Sequence, residues 1–231
     1  MKKAESDFLA ELGGAGDPSA FARSSFDGLE KPKLRTVLYA EQGHVCVYCE
    51  RRVEEGYPAP RIDHWRPLSQ NPSLALHWRN LYLSCPTEAT CDCRKHESPL
   101  CDREGDPELP WPVSHPYERC VGFTSLGEMY VREDAPLDDD QRRALVKAIG
   151  QPHTDTIKDN GILNLNHPAL VAARAAAVDS ERSRLERDFS GKTASREDRE
   201  DRAANLFGAG KLSEYVSIRT GWLRRTLGKS R

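Results

Sequence analysis

Five of the seven cysteines in this 231-residue chain lie between Cys46 and Cys93, and no other feature limits its fold as much. Cys46-Val-Tyr-Cys49 sets two sulfurs on one tight turn, and Cys85, Cys91 and Cys93 supply a second group. Tetrahedral zinc takes four ligands, and thiolates are soft, charged donors suited to it. Cys46, Cys49, Cys85 and Cys91 are therefore the expected ligands of a structural zinc ion. The second pair is irregularly spaced, which leaves Cys93 as an alternative to Cys91. The competing reading makes these residues small buried hydrophobes, and their concentration in one stretch weighs against it. Cys101 and Cys120 lie outside the stretch and read as ordinary core residues.

Between the thiols lie Asp63-His64-Trp-Arg-Pro67 and, further on, Asn80. These are the residue types that a one-metal phosphodiesterase needs: a base to make a nucleophile from water, and a cation to stabilise the developing charge. His64 can take a proton near neutral pH, since an unperturbed imidazole titrates at about 6.5. Asp63 offers a hard oxygen to Mg²⁺ or Mn²⁺. Asn80 is donor and acceptor at once, so it either ligates that ion or fixes the loop around it. His96 is a further candidate ligand for the catalytic ion. Adjacent strand residues face opposite sides, so Asp63 and His64 can share one site only if the strand bends there or if His64 sits in the following loop. His44, His77, His115, His153 and His167 have no assigned role.

Hydrophobic residues make up 38% and charged residues 30% of the chain, enough for an ordinary soluble core. No apolar run reaches membrane-spanning length, and the amino terminus lacks the apolar middle of a signal peptide. A cytoplasmic protein is expected, in which clustered thiols mean metal more often than disulfide. A net charge of −2 does not advertise a nucleic-acid binder. A local basic surface is enough for one, however, and Arg51, Arg52, Arg61, Arg66, Arg79, Arg94 and Lys95 surround the motif.

Three regions are expected. Residues 1–31, with Gly13-Gly14, Gly16 and Pro18, read as a partly flexible extension with a short helix near Phe8–Leu12. Residues 32–136 form the zinc-stabilised domain. In it a helix over 32–42 is stopped by Gly43, and a β-hairpin is built from Val121-Gly-Phe123 and Met129-Tyr-Val131. Residues 137–231 are helical. A capped helix follows Asp138–Asp140, helices flank Ile162-Leu-Asn-Leu-Asn-His-Pro168, a flexible linker covers 190–201, and a last helix runs near 211–227. Leu212, Tyr215, Val216 and Trp222 on that last helix are surplus apolar positions for a partner, or else pack on the protein's own core.

The pattern resembles the HNH, or ββα-metal, nucleases: a cysteine pair, an Asp-His-x-x-Pro strand, a central Asn, a second cysteine pair and a Lys, matched here by Cys46, Cys49, Asp63-His64, Pro67, Asn80, Cys85, Cys91 and Lys95. The resemblance implies an α+β fold with a ββα-metal core between helical flanks. It also implies His64 as general base, Asp63 as metal ligand and Asn80 as support or ligand. Val45-Cys-Val-Tyr-Cys-Glu50, His77-Trp-Arg-Asn-Leu-Tyr-Leu-Ser-Cys85, Cys91 to Lys95 and Leu163-Asn-Leu-Asn166 are similar to the PtuB-type HNH proteins of Septu and retron-linked antiphage systems. That narrower likeness implies a partner ATPase of the SMC/OLD type, PtuA, and cleavage of nucleic acid, DNA favoured, with 5′-phosphate products. It departs near Cys93, where many relatives carry a His. An RNA substrate such as tRNA, or a catalytically silent zinc module that binds DNA or protein, are the alternatives.

Overall fold

A computed structural model describes residues 2–56, 58–97, 117–150, 161–190, 193–208 and 210–224. The architecture is mixed α/β, with two small antiparallel sheets set among helices. Helix α3, Lys31–Gln42, carries Pro32 in its first turn and ends at Gly43, whose φ of 61° is left-handed. A side chain at Gly43 is doubly excluded, because its Cβ would stand 2.5 Å from Leu212 Cγ. The chain then enters the first cysteine pair. Strands β1, Arg61–His64, and β2, Leu81–Ser84, pair antiparallel with Asp63 opposite Tyr82 and His64 opposite Leu81. Cys85 follows β2 directly, and Cys91 opens α4, Cys91–Glu97.

The expected hairpin is present as β3, Val121–Phe123, and β4, Met129–Val131, after the short helix α5, Tyr117–Cys120. Helix α6, Asp139–Ile149, begins with Asp138 and Gln141 capping each other's backbone N–H groups. Beyond it, residues 161–165 run back along the end of α6, with Leu163 N donating to Ala148 O and Leu165 N to Ile149 O. The two asparagines of Leu163-Asn-Leu-Asn166 act as clamps. Asn164 Nδ2 donates to Ala89 O at 2.9 Å, steadying the loop before Cys91. Asn166 accepts from Met129 N at 2.7 Å and donates to Met129 O and Gly150 O, so β4 is tied to α6.

One continuous core runs from Leu38 through Leu83, Phe123, Ile149 and Leu165 to Ile218, and so includes residues on both sides of the expected boundary at 136/137. A satellite core holds Leu185, Ala203, Leu206, Val216 and Leu223 from α7, Pro168–Phe189, α8, Arg196–Asn205, and α9, Val216–Leu223. Two expectations are corrected here. The stretch 196–201 is not linker but the start of α8, because Ser195 and Asp198 form a second capping box and Ala203 buries behind it. Residues 1–31 contain α1, Lys2–Leu12, and α2, Pro18–Asp27, which pack Phe8 and Ala22 on Leu68 and Ala75. Of the two readings open for Leu212, Tyr215, Val216 and Trp222, packing on the protein's own core is the one observed: Tyr215 and Val216 are buried, and Leu212 and Trp222 pack against the cores, with Leu212 and Tyr215 ahead of α9. Among the described residues no helix is long and apolar enough to cross a membrane.

The Asn166 clamp is testable. Its removal strands several backbone groups that are buried among α6 and β4, and each costs about 1–3 kcal/mol. Asn166→Ala is therefore expected to lower unfolding free energy by about 3 kcal/mol or more, read from a denaturant midpoint at unchanged m-value.

Candidate metal centre and adjoining acid cluster

The four sulfurs come from the turn after α3, the end of β2 and the start of α4. Cys46 and Cys49 flank a turn closed by Glu50 N on Cys46 O, with Glu50 itself left-handed at φ 59°. Cys91 also sits at φ 59°, held there by its N–H on Leu163 O at 2.8 Å. Such a conformation is uncommon for residues other than glycine, and each is fixed by a hydrogen bond. The Sγ atoms of Cys46, Cys49, Cys85 and Cys91 lie within 4.8 Å of one another, all buried. Cys49 and Cys85 are 3.7 Å apart, and tetrahedral zinc with bonds of about 2.3 Å implies sulfurs about 3.8 Å apart. The group therefore suits a metal ion such as zinc.

Crowding leaves these thiols unlike free ones. Hydrogen bonds with Cys46 and Cys85 hold the Cys49 thiol well above its ordinary range, and burial does the same for Cys91. Cys85 moves the other way, because the thiols of Cys46, Cys49 and Cys91 converge on it. Cys93 is not among the four. Two residues along a helix is a rotation of about 200°, so Cys91 and Cys93 cannot both face the cluster.

The cluster is joined to what lies on either side. Ser84 Oγ receives the Cys46 thiol at 3.8 Å and the Asp92 N–H at 3.3 Å. On the other side, the Glu50 carboxylate accepts from Ser217 N at 3.0 Å and from the Ser217 hydroxyl, while Tyr215 N donates to Glu50 O. Arg51 reaches Thr87 Oγ1 at 2.9 Å and Tyr215 Oη at 3.4 Å. The start of α9 is thus fastened to the first cysteine turn.

Asp63 and His64 both lie within β1 and pair regularly with Tyr82 and Leu81, so neither the bend nor the loop position that one shared pocket would need is present, and the two side chains have separate surroundings. The Asp63 carboxylate is buried and takes hydrogen bonds from the Tyr48 hydroxyl and from Lys95 Nζ, at 2.9 and 3.1 Å. Lys95 also donates to His64 O at 2.7 Å, so the cation bridges the strand end. Asp92, in the first turn of α4, pairs with Arg61 and is near enough for its charge to act on Asp63. Burial, partly offset by Lys95 and reinforced by the Asp92 charge, pushes the Asp63 carboxyl up to about 6.

His64 faces the loop after β1. Its Nε2 stands 3.0 Å from Ala75 O, and a carbonyl only accepts, so Nε2 carries the proton and Nδ1 the lone pair. Phe26 of α2 meets the ring edge-on with centroids 4.3 Å apart. The residue is 7% exposed, and burial pulls its pKa down to about 4, so the imidazole is neutral at pH 7. Asn80 is 0% exposed. Its Oδ1 accepts from Arg66 N at 2.7 Å, and its Nδ2 donates to Arg66 O and Leu74 O, both at 3.1 Å. Of its two expected roles, fixing the loop is the one it performs. Both amide hydrogens go to backbone, while Oδ1 accepts one hydrogen bond and keeps a second lone pair.

The His96 side chain lies outside the described residues, as do Cys101, His115 and His153. His44 stacks on Tyr39, and His167 caps α7. Asp92 and Tyr48 went unnoticed in the sequence. Asp92 had one usable signal, its position directly after a cysteine of the cluster at a helix start, while Tyr48 had none beyond lying between two of the clustered cysteines.

No family model matches this chain. It is similar to the Septu protein PtuB of Bacillus thuringiensis, 36% identical over 55 residues, which is 24% of this chain and 21% of that protein. The match therefore spans about a fifth of the relative's own length.

Two measurements follow. Purified protein is expected to contain one zinc per chain by elemental analysis. Cys85→Ser should lose both metal and cooperative melting, since metal-binding energy is folding energy, whereas Cys93→Ser should retain both. Acidification tests His64. Its folded pKa lies below the unfolded value of about 6.5, so between pH 6.5 and 4 the unfolded chain binds more protons and stability falls with pH. The Asp63 shift acts in the opposite direction over an overlapping range, so the comparison must be with His64→Gln. The stability of wild type relative to His64→Gln is expected to drop by up to about 3 kcal/mol across that window.

Proposed function

We propose that this chain is a divalent-metal-dependent nuclease of the ββα-metal type that serves in antiphage defence. The observation that carries the reading is the pair of buried carboxylates, Asp63 and Asp92, close enough for one charge to act on the other, with the neutral His64 on the other face of the same strand end, next to the four-cysteine cluster. Two carboxylates so close resist joint ionisation unless positive charge lies near them. Lys95 and Arg61 supply part of it, and a Mg²⁺ or Mn²⁺ ion would supply the rest. Bound there, such an ion would neutralise charge on the phosphorane and assist the leaving 3′ oxygen. Asp63 and Asp92 would hold it, with Asp92 in the part the sequence assigned to Asn80.

The remaining chemistry belongs to the protein. His64 Nδ1 takes a proton from water, and the oxygen attacks phosphorus in line with the departing 3′ oxygen. The P–O3′ bond breaks, leaving 3′-hydroxyl and 5′-phosphate ends. A phosphodiester beside the ring favours imidazolium, which raises a basicity that burial alone holds low. Asn80 keeps the 65–75 loop, and with it Ala75 O, where Nε2 requires it. DNA is the favoured substrate and RNA the rival. The likeness to a Septu protein supports the defence role, together with an ATPase partner of the PtuA kind.

A second reading has its own support. Asp63 and Asp92 already have cationic partners, and Phe26 covers His64. A catalytically silent zinc module would have this appearance. Plasmid nicking with Mg²⁺ or Mn²⁺ separates the two. Wild type should nick, His64→Ala should be slower by a factor of about 10²–10⁴, and Asp92→Ala should lose metal-dependent activity. Equal rates in wild type and His64→Ala would remove the nuclease reading. A 2′,3′-cyclic phosphate from RNA would contradict attack by water.

A further inference from the structure

The amino-terminal helices bring positive charge to the same histidine. Lys31 Nζ stands 3.1 Å from the centroid of the Phe26 ring that covers His64, and it donates to Phe26 O at the end of α2. Arg23 precedes Phe26 by three residues on α2, so the two share a helix face. Arg23 is exposed and, among the described residues, enters no ion pair. Both cations are close enough to His64 to act on it through space. Arg35, half-buried on α3, completes the group and is anchored by Nε on Pro60 O at 3.0 Å, next to β1. Arg35 and Arg23 repel the Lys31 ammonium, and Asp27 is the acid that draws it the other way.

Like charges gathered at one place oppose each other, and an arriving anion relieves that repulsion. The Lys31 ammonium is satisfied by a carbonyl and a ring face, neutral partners, so that its charge is offset only in part, by Asp27. The location decides which anion. Beside a general base for phosphodiester cleavage, the anion with matching chemistry is the nucleic-acid backbone.

We propose that Arg23 and Lys31 form a phosphate clamp, by which α2 and α3 seat a nucleic-acid strand against the His64 edge of the site. The identity of the ligand rests on the proposed nuclease function, but the contact can be measured without cleavage. Neither residue takes or gives a proton in the reaction; both position the strand.

The test uses the full zinc-loaded chain, with Ca²⁺ in place of Mg²⁺, and fluorescence anisotropy on a labelled DNA duplex and a labelled single-stranded RNA from 50 to 200 mM salt. Each neutralised phosphate adds about 0.9 to the salt slope on duplex DNA and about 0.7 on a single strand. Arg23→Ala and Lys31→Ala are each expected to lower the slope by about that amount on the true substrate and to weaken binding equally across sequences. Arg23→Lys should keep the wild-type slope, because the charge is retained. Arg143→Ala, on the exposed outer face of α6, should also leave it unchanged. Undiminished slopes in both alanine variants, at wild-type melting temperature, would overturn the clamp, and so would wild-type protein that binds neither probe. Reduced slopes in a protein that never cleaves would support the clamp and sink the nuclease reading instead.

Discussion

Four sulfurs within a few ångströms of one another form the constraint on which the rest of this structure depends. They come from three separate places in the chain: the turn after α3, the end of β2 and the start of α4. The β1–β2 pair has only four residues in each strand, and an isolated hairpin of that size is marginal in water. A metal at the sulfur cluster would cross-link the sheet to α4 and α3, so metal binding and folding become one event. Ser84 carries that order toward Asp92 on one side, and Glu50 carries it to Ser217 on the other. The helical carboxy-terminal part is thus built onto the cysteine turn directly.

The acid cluster shows how the fold manages charge away from water. Asp63 and Asp92 are both buried, and a lone buried carboxylate tends to protonate. Lys95 and Arg61 give each acid one basic partner, and Tyr48 adds a hydroxyl donor. Lys95 is as buried as its partner and also satisfies His64 O, so the ion pair helps to hold the strand end in place. Removing one member of such a pair leaves an uncompensated buried charge, which costs more than the intact pair contributes.

Local signals in the sequence were read well and long-range ones poorly, for identifiable physical reasons. Gly43, Asp138 and the Val121–Val131 hairpin are local devices, and each appears where expected. The irregular second pair leaves Cys91 and Cys93 as alternatives in the sequence, and α4 decides between them by turning Cys93 away from the cluster. The tail was misread because Ser195-Arg-Glu-Asp looks like solvated charge, although Ser195 and Asp198 form a helix cap. Asn80 illustrates a deeper limit. An amide's donors and acceptor suit a metal site or a loop equally well, and only the positions of Arg66 and Leu74 decide between them. Asp92 was missed for a related reason, since its importance comes from Asp63, which lies on another element.

Strand alternation then defines how a substrate must approach. It directs Asp63 toward α4 and His64 toward the loop and α2, so a base and a carboxylate pair occupy opposite faces at one strand end. Lys95 spans the two faces through the Asp63 carboxylate and His64 O. On the proposed reading, a phosphodiester therefore has to lie across the end of β1, with one side turned to α4 and the other to His64. A strand in that position passes next to Phe26. The charges of Arg23, Lys31 and Arg35 are then where its neighbouring phosphates need them, which makes the amino-terminal helices a wall of the site. Of these helices, α1 and α2 pack on Leu68 and Ala75 apart from the main core, whereas α3 belongs to it through Leu38 and Tyr39, so Lys31 and Arg35 are carried by the same frame that the sulfurs pin.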